Sequence, residues 1–322
     1  MKYLGEISEC SVVKRTLDAV KRGRVSHAYL INCEDEYTSG LVGAMLIAGI
    51  IGSDDVQRAY DGLYADVTVF PEEGKDKVLT ADVDRITETA HVTPTELDKK
   101  FYVIKKAESM NDSAQNKLLK TLEEAPPSVV IVLECAKPAV MLPTILSRCV
   151  KIDIPPMDLS VIREGLERLY GEDERVYPAT SLSRGYFGFA ETVFAEKAYY
   201  ESYKLALETL VFMKTSRNIL SYSAKWLARK DNIETLMDCL SVILDDCMLY
   251  SAGRVEDVKL KNNLKEIVEL SKLYDYRVTA LVLPLITEAK RKLAYNCSVS
   301  AVVDGLLFSI LEVKAKCQKL LE

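Results

Sequence analysis

The segment Cys33–Gly40 lies where a strand–loop–helix unit would hold the phosphates of a nucleotide. It follows Ala28–Ile31, an apolar run that predicts a buried strand, and it precedes the apolar helix expected at Leu41–Ile51. A phosphate-binding loop at this place has the pattern G-x-x-x-x-G-K-[ST]. The glycines let the backbone wrap the phosphates, the lysine contacts the β- and γ-phosphates, and the hydroxyl holds Mg²⁺.

The residues at the defining positions of that pattern are different here. In place of glycine, glycine, lysine and a hydroxyl residue, the sequence has Cys33, Thr38, Ser39 and Gly40. The acidic run Glu34–Glu36 would turn negative charge toward an incoming phosphate, at a cost of about 1 kcal/mol per close contact even in water. We therefore expect a segment that has kept its structural role and lost the nucleotide chemistry.

Two further charged sites lie in the middle third of the chain. Lys105 and Lys106 directly follow Phe101–Ile104, an apolar run that predicts a strand. Two ammonium groups cannot bind Mg²⁺; they could bind phosphate, but without a glycine loop the rest of a nucleotide would be unsupported. Arg148, in the triplet Ser147–Cys149, has a planar cation that can contact phosphate oxygens in pairs. From spacing alone, an arginine that caps a helix or forms a surface ion pair is the preferred interpretation.

The elements that must position these residues have clear signals. Asp112 is expected to be the N-cap of a helix, with Gln115 as its partner at the third helical position, and Pro126 ends that helix. The apolar face of this helix consists of Leu118, Leu119 and Leu122. Val129–Leu133 predicts a central strand covered on both faces. Strand, helix and strand in this order predict a parallel sheet in an α/β domain.

The run SAQNKLLKTLEEAPP at 113–127, followed by LPTILSRC at 142–149, resembles the AAA+ clamp-loader subunits of DNA replication. The resemblance extends upstream through Gly5 and Ser26–Leu30. Downstream it continues more weakly to Arg291–Asn296, so it covers essentially the whole chain. It implies an N-terminal P-loop (AAA+) α/β domain with a parallel sheet, followed by an all-α lid and an all-α collar.

Three parts of that family's ATP site are replaced in this sequence. Active members have an Asp-Glu pair where this chain has Lys105 and Lys106, and a basic residue where it has Phe189. The third part is the glycine loop, replaced by Cys33–Gly40. The resemblance also implies that Arg148 is an arginine finger that reaches the ATP of a neighbouring subunit. Thr144 and Ser147 are expected to shape the local turn.

No metal site is expected. The cysteines lie at positions 10, 33, 135, 149, 239, 247, 297 and 317, with no CxxC pair, and His27 and His91 are far apart. This pattern favours reduced, buried thiols over disulfides or zinc ligands. Many members of the family have a four-cysteine zinc module, but the corresponding span Ser53–Ala65 has no cysteine.

Composition and length favour several domains with real cores. The chain has 322 residues, of which 48% are hydrophobic and 28% charged. Pro155 and Pro156 mark the first boundary, so we expect a degenerate AAA+ α/β domain at 1–156, a helical lid at 157–197 and a helical collar at 198–322. Trp226 and the collar cysteines 239, 247 and 297 are expected to pack in the core of that collar.

Charge and targeting signals limit the partners. The net charge of -6 gives no basic excess for holding DNA alone. The N-terminus becomes polar too soon for a signal peptide, and the apolar run Leu41–Ile51 is much shorter than the about 20 residues that span a membrane. We therefore expect a cytoplasmic protein with no membrane partner.

These features together predict a clamp-loader subunit that binds no ATP, holds no cofactor and is not an enzyme by itself. The implied partners are subunits of the gamma/tau and delta types and, through the assembly, the sliding clamp and primer-template DNA. An active AAA+ motor ATPase is disfavoured by the missing ATP-site residues. A clamp-opening delta-type subunit is disfavoured by the intact triplet Ser147–Cys149 and the LLKTLEE run.

Overall fold

Five parallel strands form one sheet in the computed structural model, which describes residues 1–260 and 263–319. The strands are β1 (Ala28–Asn32), β2 (Val67–Phe70), β3 (Lys100–Ile104), β4 (Val129–Cys135) and β5 (Val150–Asp153). They lie in the order β2-β3-β4-β1-β5, and each neighbouring pair is parallel. Every residue of β4 is buried, which confirms the central strand predicted from its apolar run.

The chain divides into two compact units. The first contains Met1–Val161 together with Tyr186–Gly188, and the second contains Ile162–Gly185 and Phe189–Glu322. The finer division into domains at 1–156, 157–197 and 198–322 stays a prediction. Among the residues described, no helix combines the length and the apolarity that a membrane crossing needs.

Short and long helices flank the sheet in the first unit. They are α1 (Leu4–Ser8), α2 (Ser11–Lys21), α3 (Glu36–Ile51), α4 (Val56–Tyr60), α5 (Thr80–Ala90), α6 (Asp112–Glu123) and α7 (Pro143–Leu146). Leu118 and Leu122 of α6 are buried in a cluster with Leu30 of β1 and Leu133 of β4. Because their spacing puts them on one helical face, the periodicity in the sequence was sufficient to predict this contact surface.

Two helix starts differ from the sequence prediction. Asn111, and not Asp112, is the N-cap of α6, because its side-chain oxygen accepts a hydrogen bond from the backbone N–H of Ala114 at 2.8 Å. The helix expected at Leu41 already begins at Glu36, because the side chain of Asp35 caps it. Thr38, Ser39 and Gly40 are therefore helical.

The second unit is helical where it is described. Its elements are α8 (Leu159–Tyr170), which begins in the first unit, α9 (Val176–Leu182), α10 (Phe187–Ala195), which also begins in the first unit, α11 (Lys197–Phe212), α12 (Ser216–Leu227), α13 (Ile233–Ser251), α14 (Leu264–Ser271), α15 (Tyr276–Ala294) and α16 (Val299–Lys319). The predicted collar at 198–322 includes residues 261–262 and 320–322, which lie outside the described part.

The core of the second unit contains three of the four residues that were predicted to pack there. Trp226 is fully buried, and its indole N–H donates to the hydroxyl of Thr209 at 3.0 Å. Cys239 and Cys247 are buried as predicted. Cys297 is exposed, so its assignment to the core was wrong. It lies in the turn between α15 and α16, outside both helices.

Candidate functional site

The N-terminus of α3 is occupied by a carboxylate of the chain itself. Asp35, only 3% exposed, accepts hydrogen bonds from the backbone N–H of Thr38 at 3.0 Å and from its hydroxyl at 2.5 Å. A third donor is the backbone N–H of Gly188, also at 3.0 Å. Free N–H groups at a helix N-terminus are what a phosphate would bind. Here the carboxylate of Asp35 takes that place.

The segment Tyr186–Gly188, part of the first unit, packs against this carboxylate. A Cβ atom on Gly188 would lie 2.0 Å from Oδ1 of Asp35, so only glycine fits there. The ring of Phe187 stacks on Tyr3 with centroids 4.0 Å apart. The hydroxyl of Tyr186 donates to the main-chain oxygen of Ile154. The space beside the helix N-terminus is thus filled by protein.

Opposite charges beside the start of α3 compensate one another. Lys106, at a φ of 50°, places its ammonium 3.1 Å from the carboxylate of Glu36. A loop that holds a nucleotide has a lysine that contacts the phosphates, whereas this chain has acids in the loop and lysines after β3. The exchange leaves an internal ion pair where a phosphate and Mg²⁺ would need the reverse arrangement of charge.

Glu134 is a buried carboxyl group at the same edge of the sheet. It is 5% exposed, near the end of β4, and its Oε2 lies 3.4 Å from the hydroxyl of Ser39. Burial raises the pKa of Glu134 to about 7, although the positive charge of Lys105 and the bond from Ser39 oppose that rise. A Cβ on Gly43 would lie 3.2 Å from its Oε1, which explains the small residue there.

The loop positions Cys33 and Gly40 are closely packed, and the Cys33 thiol is unreactive. Cys33 is buried, and burial raises the pKa of its thiol to about 12, so it stays protonated and is a poor nucleophile. A Cβ on Gly40 would lie 3.2 Å from the ring of Tyr60. Lys105 faces the same ring, with its ammonium 5.8 Å from the centroid. No group of three or more potential metal ligands occurs within residues 1–260 and 263–319.

The side chain of Arg148 bonds to a different set of residues. Its Nη1 donates to the main-chain oxygen of Thr144 at 2.9 Å, and its Nη2 lies 2.5 Å from Oε1 of Glu123. The hydroxyl of Ser147 donates to the same oxygen of Thr144 at 3.0 Å, so Ser147 shapes the turn as expected. Cys149 is partly buried and packs against the core of the first unit, and burial raises the pKa of its thiol to about 11.

Arg148 and the loop Cys33–Gly40 lie at opposite edges of the sheet. Asp35 follows the carboxyl end of β1, whereas Arg148 precedes the amino end of β5, and these neighbouring strands are parallel. Their shared register runs from Val150 to Asp153, or about 10 Å of strand before any loop is counted. The structure therefore brings the loop together with Lys106 and Ser39 with Glu134, but it does not bring Arg148 to them.

Comparison with known proteins gives matches over most of the chain. A family model described as DNA polymerase III, delta subunit, matches residues 9–158. The DNA polymerase III subunit delta' of Bacillus subtilis is 25% identical over 324 residues, covering 94% of this chain and 95% of that protein. The chain is thus similar to a DNA polymerase III subunit delta' over nearly its whole length. This confirms the resemblance carried by 113–127 and 142–149.

Other clamp-loader relatives match shorter or more distant stretches. The DNA polymerase III subunit delta' of Pseudomonas aeruginosa is 34% identical over 122 residues, covering 38% of this chain and 36% of that protein. A solved DNA polymerase III gamma subunit-related protein from Thermotoga maritima covers 93% of this chain and 99% of that chain, with 19% identity and a TM-score of 0.45.

Three residues of the site, Glu134, Glu123 and Gly188, were not predicted from the sequence. Glu134 had a signal, because it is a carboxylate at the end of an otherwise apolar run. Gly188 directly precedes Phe189, whose ring lies 5.7 Å from the guanidinium of Arg184, and only the fold brings Gly188 to Asp35. Glu123 had no signal of its own, since an acidic residue late in a helix is usually solvated.

Proposed function

We propose that this chain is a delta-prime-type, stator subunit of the DNA polymerase III clamp loader. It works in the cytoplasm as part of the polymerase holoenzyme, without being an enzyme itself. Subunits of the gamma/tau and delta types are its direct partners. Together they load the sliding clamp on primed DNA. The net charge of -6 fits a chain that meets DNA only through the assembly.

The placement of Arg148 carries the proposal that this chain acts on the ATP of a neighbour. Its own degenerate loop is at the other edge of the sheet and is filled by Asp35 and the Lys106–Glu36 pair. The side chain of Arg148 is 35% exposed and lies on the surface of the first unit. A guanidinium on an exposed edge can supply positive charge to a phosphate bound by another chain.

Replacement of Arg148 by alanine should impair ATP hydrolysis at one site of the reconstituted loader. In GTPases an arginine finger contributes on the order of 10³ to 10⁵ in rate, or roughly 4 to 7 kcal/mol of barrier. Total ATPase should fall only in part, because the other sites have their own arginines. Clamp loading should fall further, because it needs all the ATP sites of the loader to act in coordination. Steady-state ATPase with clamp and primed DNA measures both effects.

Arg148→Lys is the informative companion variant, because lysine keeps the charge and lacks the planar fork. It should restore little of the activity. Both variants should still enter the complex, as checked by co-purification with the partner subunits and mass measurement. If both hydrolyse ATP and load clamps at the wild-type rate, Arg148 has only a structural role.

A further inference from the structure

Two elements of the first unit fix the orientation of the Arg148 guanidinium. One contact is the main-chain oxygen of Thr144 in α7, and the other is the carboxylate of Glu123, the last residue of α6. A guanidinium has five N–H groups. Two are used in these contacts, and the other three have no protein partner in the described part of the chain.

The Arg148–Glu123 contact is too exposed to matter much for stability. The two side chains are 35% and 51% exposed, and such a pair typically contributes about 0 to 1 kcal/mol. Its effect is geometric, because it holds a long side chain that would otherwise sample many rotamers. Glu124, the next residue, is also exposed, and it forms no ion pair among the residues described.

We infer that Glu123 is a positioning residue for Arg148; the inference rests on the proposed function of Arg148. Glu123 fixes one side of the guanidinium and leaves three N–H donors available to a phosphate of the neighbouring subunit. Less rotamer entropy is then lost when Arg148 meets that phosphate. Glu123 itself touches no nucleotide, and its negative charge is neutralised by the arginine it holds.

Glu123→Ala should lower the rate of ATP hydrolysis at the site facing this subunit on the order of tenfold. This lies below the loss of about 10² that a misplacement of about 1 Å can cost, because Thr144 still holds Nη1. The loss should appear in kcat, with little change in KM for ATP, since only the transition state needs the oriented arginine. Glu123→Gln keeps an acceptor oxygen and should recover part of the rate.

The experiment uses the reconstituted loader with clamp and primed DNA, and it includes Arg148→Ala alone and combined with Glu123→Ala. If Glu123 acts through Arg148, its replacement has no further effect in the Arg148→Ala background. Glu124→Ala is the matched control and should behave as wild type.

The possible results separate this inference from the proposed function. An unchanged rate for Glu123→Ala, beside an impaired Arg148→Ala, overturns the positioning role alone. An increased rate overturns it too, because Glu123 would then be a brake that withholds the arginine. An equal loss in both backgrounds means that Glu123 acts by another route. If Arg148→Ala hydrolyses ATP normally, the arginine-finger proposal itself is wrong.

Discussion

The buried carboxyl group of Glu134 makes the folding stability of the chain depend on pH. Its pKa is raised from 4.5 to about 7, so between these values the folded state binds more protons than the unfolded state. The stabilising contribution of Glu134 is therefore full below about pH 4.5 and is lost as the pH rises through about 7. Lys105 and Ser39, which face it, reduce this loss without removing it.

Glu134→Gln should become more stable relative to wild type as the pH rises. The glutamine does not titrate, so the difference in unfolding free energy should grow between about pH 5 and about pH 8, to at most about 3 kcal/mol. Urea unfolding followed by circular dichroism measures it. Glu124→Gln, at an exposed position, is the control. Parallel pH profiles for wild type and Glu134→Gln would mean that Glu134 is ionised at neutral pH.

At the residue scale, the sequence was sufficient to predict what the site lacks but not what fills it. The absence of glycines and lysine between Cys33 and Gly40 is visible directly in the letters. That Asp35 would also accept a hydrogen bond from Gly188 depends on a contact between residues 153 positions apart. No local pattern reports such a contact, because it is created by tertiary packing.

At the scale of elements, Gly188 joins the segment Tyr186–Gly188 to the start of α3 through its contact with Asp35. An added methyl group would meet Oδ1 and Cγ of Asp35 at 2.0 and 2.7 Å. That carboxylate cannot turn away cheaply, because it is buried and bonded to Thr38. Either the segment Tyr186–Gly188 moves or the cap of α3 breaks.

Gly188→Ala should therefore destabilise the first unit by about 1 to 3 kcal/mol, the usual cost of overpacking. Gly5→Ala is the matched control in the same unit, because nothing lies within 4 Å of its Cβ position. Chemical denaturation of the two variants gives the comparison. Equal stability of Gly188→Ala and Gly5→Ala would show that the packing around Asp35 yields without cost.

Strands and helices with a clear apolar run or apolar spacing were predicted correctly. The residues at which they begin and end were predicted less well. The strand β4 follows from the apolar run Val129–Leu133, and the buried face of α6 follows from the spacing of Leu118 and Leu122. The start of α6 was missed by one residue because Asn111 and Asp112 are both good N-caps, and only the hydrogen bond to Ala114 decides between them. Cys297 was misplaced because apolar composition near a helix end does not fix which side faces water.

At the scale of the whole molecule, we propose a subunit that assists ATP chemistry without holding ATP. The N-terminus of α3 is capped by Asp35, which also accepts a hydrogen bond from Gly188, and Arg148 lies at the other edge of the sheet. A subunit of this kind would depend on partners, so the proposed function has to be measured in the assembled loader. The proposed lack of nucleotide affinity can be measured on the chain alone.

Titration of Mg²⁺-ATP into the purified chain, followed by calorimetry, tests this claim most directly. A gamma/tau-type subunit in the same buffer serves as the positive control. We expect no saturable heat for this chain at physiological ATP concentration, with or without Mg²⁺, because Asp35 caps the helix N-terminus and Lys105 and Lys106 stand where acids would bind Mg²⁺. Saturable micromolar binding of one ATP per chain would contradict it and favour an active motor ATPase.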